Sequence, residues 1–133
     1  MMPAVPTGSH RLAEQIGNWA IFASIKLSVH ARDSRSPSPI VMWDDGISVD
    51  SFGQTEAAVA FGVSHALRFI PESECIGVVV HELNTVSVDT TAAAIAFVAC
   101  HALLDCWDLA PPSAPYFDRD KKAIVFPCGG GFA

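Results

Sequence analysis

Charge is scarce in this chain. Lys, Arg, Asp and Glu make up 17% of its 133 residues and half of the residues are hydrophobic, a balance opposite to that of a disordered chain. Positive charge is the scarcer sign, with eight Lys and Arg against fourteen Asp and Glu and a net charge of −6. So few cations cannot build a continuous basic face, which argues against broad electrostatic binding to DNA or RNA and leaves a local contact with RNA open. The densest group is Arg119, Lys121 and Lys122, interrupted by Asp120, enough for a small positive tip only. No stretch approaches the ~18 consecutive apolar residues of a membrane span. The four cysteines, Cys75, Cys100, Cys106 and Cys128, form no Cys-x-x-Cys pair. Met1 to Arg11 carries Pro3, Pro6 and Gly8 instead of the apolar run of a secretory leader. These absences predict a reduced, cytoplasmic setting with no membrane partner, the cysteines serving as small core residues. A Gly-x-x-x-x-Gly-Lys-Ser/Thr phosphate loop is also missing.

What remains suits one domain, large enough to bury its own core without disulfide or metal. Residues 1–17 read as a loose N-terminal arm and 128–133 as a flexible Gly-rich tail, around a domain spanning 18–127. From Trp19 to His30 apolar residues alternate strictly. Ile21, Ala23, Ile25, Leu27 and Val29 point one way, and Phe22, Ser24, Lys26, Ser28 and His30 the other, the period of a strand with one buried face. A Ser/Pro-rich loop over 32–39 leads to a short strand, Ile40 to Trp43, ended by Asp44-Asp45-Gly46. Ser51-x-x-Gln54 fits a capping box for a helix running to about Phe69, with Val59, Val63, Ala66, Leu67 and Ile70 as its core stripe. Pro71 stops it. Ile76 to Leu83 reads as a central strand. Asp89 or Thr90 caps a second helix, Thr91 to Cys106, with a stripe of Ile95, Val98, Ala99, Ala102 and Leu103. A hairpin around 118–122 closes the pattern. The fold class expected is α+β, two-layer: a mostly antiparallel sheet with two Ala-rich helices on one face.

The helices resemble each other. Ala57-Ala58-Val59-Ala60-Phe61 and His65-Ala66-Leu67 recur as Ala93-Ala94-Ile95-Ala96-Phe97 and His101-Ala102-Leu103. Duplication of a βα unit and convergence on a small-residue packing face both account for this. The second helix is apolar nearly all round, and Ala94, Phe97 and Leu104 lie off its core stripe, which predicts a homodimer or partner contact there.

Three stretches carry a family resemblance. They are Asn18-Trp19-Ala20 with Ser24 to Val29, then Phe52 to Leu67, then Ile76-Gly77-Val78-Val79-Val80 followed by Val88-Asp89-Thr90-Thr91 and an Ala-rich helix. In that order they resemble domain IV of translation elongation factor G and the corresponding domain of the tetracycline-resistance ribosomal protection proteins, of the ribosomal protein S5 domain 2-like fold. The resemblance implies a scaffold that presents loops to ribosome or RNA, with Glu82, Leu83, Asn84, Thr85 and Val86 as the binding loop. The chain departs from the family at that tip. Glu82-Leu83 stands where the family has an Asp-Gly turn, and Val86 where it has a His.

Chemistry-bearing residues are few. His65, His81 and His101 are the candidate bases or ligands, and His65, Cys100, His101 and Asp105 a candidate metal set, with Asp105 four residues after His101 to orient it. Against this, no His-Glu-x-x-His or paired Cys-x-x-Cys is present, and a histidine near a helix C-terminus is favoured by the dipole anyway. His81-Glu82 and Pro127-Cys128 have residue types of the zinc deaminases without their spacing. Asp44, Asp45, Asp50 and Glu56 form an acidic turn and helix start that could attract a cation. No cofactor is expected. Three functions stay open: a non-enzymatic binding module, a small enzyme using His65, His81 or His101, and a self-associating accessory protein.

Overall fold

The structure, a computed structural model, describes residues 6–31, 40–44, 54–70, 76–86 and 89–127. Among the described residues it is α+β, with a mostly antiparallel four-stranded sheet, two helices and a small second sheet. Strand β1 (Thr7–Ile16) pairs antiparallel with β2 (Trp19–Ala31). The tight turn between them places Gly17 at φ 61°, and glycine at the first central position of a two-residue hairpin supplies that conformation without strain. β2 then pairs antiparallel with β4 (Ile76–Asn84), and β4 pairs parallel with β3 (Ile40–Trp43), so the order is β1-β2-β4-β3. The parallel pair requires a crossover, and helix α1 (Gln54–Leu67) lies between its strands in sequence. Helix α2 (Ala92–Cys106) follows β4, and a separate hairpin of β5 (Tyr116–Asp118) and β6 (Ala123–Val125) completes the chain order.

Alternation along β2 sorts its residues as the sequence predicts. Ile21, Ala23, Ile25, Leu27 and Val29 are buried in one core with Val78 and Val80 of β4 and the inner stripes of both helices. Small residues set the spacing between layers. A Cβ on Gly62 of α1 would lie 2.2 Å from the Ala96 carbonyl oxygen of α2, and a Cβ on Gly8 of β1 would lie 2.0 Å from the carbonyl oxygen of Ala102. Helix thus touches helix, and strand touches helix, through their backbones.

Four expectations are corrected. The N-terminal arm is not loose over residues 7–16: they form edge strand β1, whose alternation is hidden because His10 and Glu14 occupy inward positions beside Leu12. The predicted partner surface on α2 is used up internally. Ala94, Phe97 and Leu104 are all buried, and α2 packs on β1 and β2 and alongside α1, so its all-round apolarity reflects a central position within this chain. Each large apolar side chain buried there contributes about 1.5–3 kcal/mol. The predicted binding loop begins too early, since Glu82, Leu83 and Asn84 continue β4 opposite Lys26, Ile25 and Ser24, and only Thr85 and Val86 emerge from the strand, both exposed. The cap of α2 is Thr91, whose hydroxyl accepts from the Ala94 N–H at 3.1 Å. Thr90 instead donates to the Phe22 carbonyl at 2.6 Å and accepts from the Val86 N–H at 2.8 Å, tying the loop to β2. Ser51 of the capping box, Asp45, Asp50, Cys75, Cys128 and the Gly-rich tail lie outside the described residues.

Candidate functional site

The helices cover one sheet face. The other carries Arg11 from β1, Phe22, Ser24, Lys26, Ser28 and His30 from β2, and Val79 and Glu82 from β4, as the strand registers place them. The register between β2 and β4 slips once. Lys26 faces Glu82 and Leu27 faces Val80, which leaves His81 as the extra residue of a β-bulge. A bulge re-aims a side chain, and His81 here reaches across the open face. Its Nε2 lies 2.6 Å from Ser28 Oγ, its Nδ1 meets the Asp44 carboxylate just past β3, and Ser28 Oγ lies 2.9 Å from His30 Nε2.

Donor and acceptor roles in this chain of contacts follow from chemistry. The Asp44 carboxylate only accepts, so His81 Nδ1 carries a proton. In the tautomer that leaves Nε2 unprotonated, His81 accepts there from the Ser28 hydroxyl, and the single Ser28 proton is thereby used. His30 Nε2–H must donate to Ser28 Oγ. One polarised line therefore runs from His30 through Ser28 and His81 to Asp44.

The Asp44–His81–Ser28 part has the connectivity of a nucleophile, base and orienter. Its setting opposes acyl transfer. Ser28 is 3% exposed and lies in a strand paired with β1 on one side and β4 on the other, so its hydroxyl has no open approach for a substrate carbonyl. The line ties four polar side chains together on the open face.

The other candidate residues do not join it. His101 is half-buried beneath β1, where it stacks on His10 with centroids 4.7 Å apart and donates from Nε2 to the Pro115 carbonyl at 2.7 Å. Asp105 does not orient it: that carboxylate accepts from the Ser9 N–H at 3.4 Å. His10 is held below the ordinary histidine pKa by burial and then by His101, with Asp105 opposing. Cys100 is fully buried in the core and its thiol pKa is pushed up to about 12 by burial, while burial and Asp105 raise Cys106 to about 11. His65 sits among the rings of Phe61, Phe69 and Phe126, with its pKa lowered by burial and then by Arg68. Burial among these rings therefore opposes the charged form that the helix dipole favours at the end of α1. Its Nε2 is buried without a hydrogen-bond partner. Among the described residues no three His, Cys, Asp or Glu side chains converge as a metal site, so His65, Cys100, His101 and Asp105 are not brought together. Of the acidic group, Asp44 serves His81 and Glu56 is exposed on α1. The predicted positive tip sits at the β5–β6 turn, where Arg119 pairs with Glu14 and Lys121 and Lys122 are exposed.

Sequence reasoning found His81 but missed Ser28, His30 and Asp44 as its partners. Alternation did place Ser28 and His30 on one face. The signal that would have joined them to His81 is a one-residue bulge, which no local pattern encodes.

No family model and no curated protein matches the chain. Among solved structures it is similar to a crystal structure of a Thermus thermophilus protein, with a TM-score of 0.59 and 16% identity over 75% of this chain. At that identity the likeness is one of fold. The chain spans 16% of the length of that protein. Among the described residues, no helix is long and apolar enough to cross a membrane.

Proposed function

We propose that this domain is a non-enzymatic binding module of the kind represented by domain IV of translation elongation factor G, acting in the cytoplasm on RNA or the ribosome through its open sheet face. The observation that carries the reading is on β1 and β2. The Arg11 guanidinium lies 5.5 Å from the centre of the Phe22 ring, on the face that also presents exposed Lys26 and the hydroxyl of Ser24. Flat sheet faces that bind single-stranded RNA combine these parts: an aromatic ring on which a base stacks, cations for phosphate and hydroxyls for base edges. The hydrogen-bonded His30–Ser28–His81–Asp44 line extends the face toward β3 with further donors and acceptors. Occurrence of a similar fold within a much longer Thermus chain supports a role as a module.

The test is co-sedimentation with ribosomes together with fluorescence anisotropy of a labelled single-stranded RNA, each at low and high salt. Binding is expected to weaken with salt, and Lys26→Gln to flatten the log–log salt slope by about 0.7, the value for one phosphate of a single strand left unneutralised. Phe22→Ser should weaken binding at every salt. Absence of binding at low salt, or binding indifferent to Arg11→Gln and Phe22→Ser, overturns the reading.

A further inference from the structure

On the opposite side of the molecule from that face, His65 Nε2 is a buried polar atom with no partner. His65 is only 8% exposed, and a buried, unsatisfied imidazole nitrogen in a folded protein calls for an explanation. The surroundings supply one. His65 helps line a cavity of about 320 Å³ with Phe61, Ser64, Arg68, Phe126 and Pro127. Phe61 and Phe126 also line a second groove of about 570 Å³, whose remaining wall is mainly Ala57, Ala58, Ala92, Ala93 and Ala96 between the two helices. The two spaces adjoin at the edge-to-face pair of Phe61 and Phe126, centroids 5.2 Å apart. One end thus offers an imidazole, a hydroxyl and a guanidinium, and the other offers methyl groups and phenyl rings. Arg68 is exposed and forms no ion pair among the described residues.

We propose that this bipartite groove binds an amphipathic monocarboxylate, a short acyl chain carrying one carboxylate, independently of the sheet-face function. The carboxylate pairs with Arg68 and accepts from His65 Nε2–H, and the chain lies across Phe61 into the alanine-lined groove. Of the three rings around His65, Phe61 and Phe69 belong to α1 and the turn after it, whereas Phe126 lies just beyond β6. Phe126 is therefore the ring that moves aside to admit the head group. The geometry selects an anion with a tail over either part alone, because the charge and the apolar wall are contributed by separate residues.

The probe is octanoate, with butanoate, acetate and octanol for comparison, measured by calorimetry and by histidine ring NMR on the full chain. Octanoate is expected to bind and to shift the His65 ring resonances while leaving those of His81 in place. Affinity should rise with chain length by up to about fourfold per methylene, the ratio for removing one such group from water. Octanol should bind about tenfold more weakly, for want of the charge-assisted bonds. Arg68→Gln, at an exposed position that leaves the core untouched, should weaken octanoate about as much without altering octanol. His65→Gln tests the second contact, with circular dichroism verifying the fold. Octanol binding as tightly as octanoate, affinity unaffected by Arg68→Gln, or no shift at His65 would each overturn the proposal.

Discussion

Replacing Gly62 with Ala sets two physical effects against each other with opposite signs. In a helix interior, alanine is favoured over glycine by about 1 kcal/mol through backbone entropy, so local propensity predicts a more stable protein. The tertiary structure predicts the reverse. The new methyl would stand 2.2 Å from the Ala96 carbonyl oxygen and 3.0 Å from the Ala99 Cβ. The first of these is a backbone atom held in the hydrogen bonds of α2. To reach ordinary contact the helices must part by about 1 Å, and a core at crystal-like density transmits that displacement to the Ala-rich seam on either side. Overpacking of this kind costs about 1–3 kcal/mol, and contact with backbone places this case at the upper end. The net expectation is a loss of about 2 kcal/mol, or roughly 6–10 °C in Tm for a domain of this size. Urea and thermal unfolding followed by circular dichroism measure it directly. A Tm equal to or above that of the parent would show that α1 and α2 do not touch at Gly62, and the small-residue account of the layer spacing would fail with it.

Ser28→Ala should cost about 1 kcal/mol by breaking the polar line on the open face, and a double-mutant cycle with Asp44→Asn should show coupling of about 0.5–1 kcal/mol through His81; strict additivity would mean that the residues do not act as a unit. Stability should also depend on pH. The pKa values of His10 and His65 are both lowered in the folded state, so the unfolded chain takes up protons first as pH falls. Stability should be level above the ordinary histidine pKa of about 6.5 and decline below it toward the depressed folded values, with a shallower decline in His10→Phe; a Tm that holds constant from pH 7.5 down to about 5 would contradict the burial of both rings. Cys100 and Cys106, with thiols raised to about 12 and about 11, should resist iodoacetamide at neutral pH in the folded protein and react on unfolding, as peptide mapping by mass spectrometry would show. Leu104→Ala should destabilise the isolated chain by about 2–5 kcal/mol, whereas an undiminished Tm would return Leu104 to the surface.

The sequence by itself determined the local elements and the faces they bury. Strict alternation from Trp19 to His30 and the apolar stripes of both helices are consequences of strand and helix period, and they specify which side chains leave water wherever the element is placed. The Ala-rich composition of both helices acted equally locally. What tertiary structure decided is everything that depends on who lies beside whom. Phe61 and Phe97 stand at matching places in nearly repeated helix sequences, yet Phe61 is 54% exposed and Phe97 is 6%. The difference is that α2 lies centrally under β1 and β2 while α1 flanks it. Strand β1 looked like an arm because its inward positions carry Gly8, His10 and Glu14, whose pairing only the register with β2 reveals. The line of His30, Ser28, His81 and Asp44 joins three strands distant in sequence through a single bulge. Hydrophobic periodicity is a property of neighbouring residues, but a hydrogen-bonded site assembled across strands depends on register, and register belongs to the folded chain.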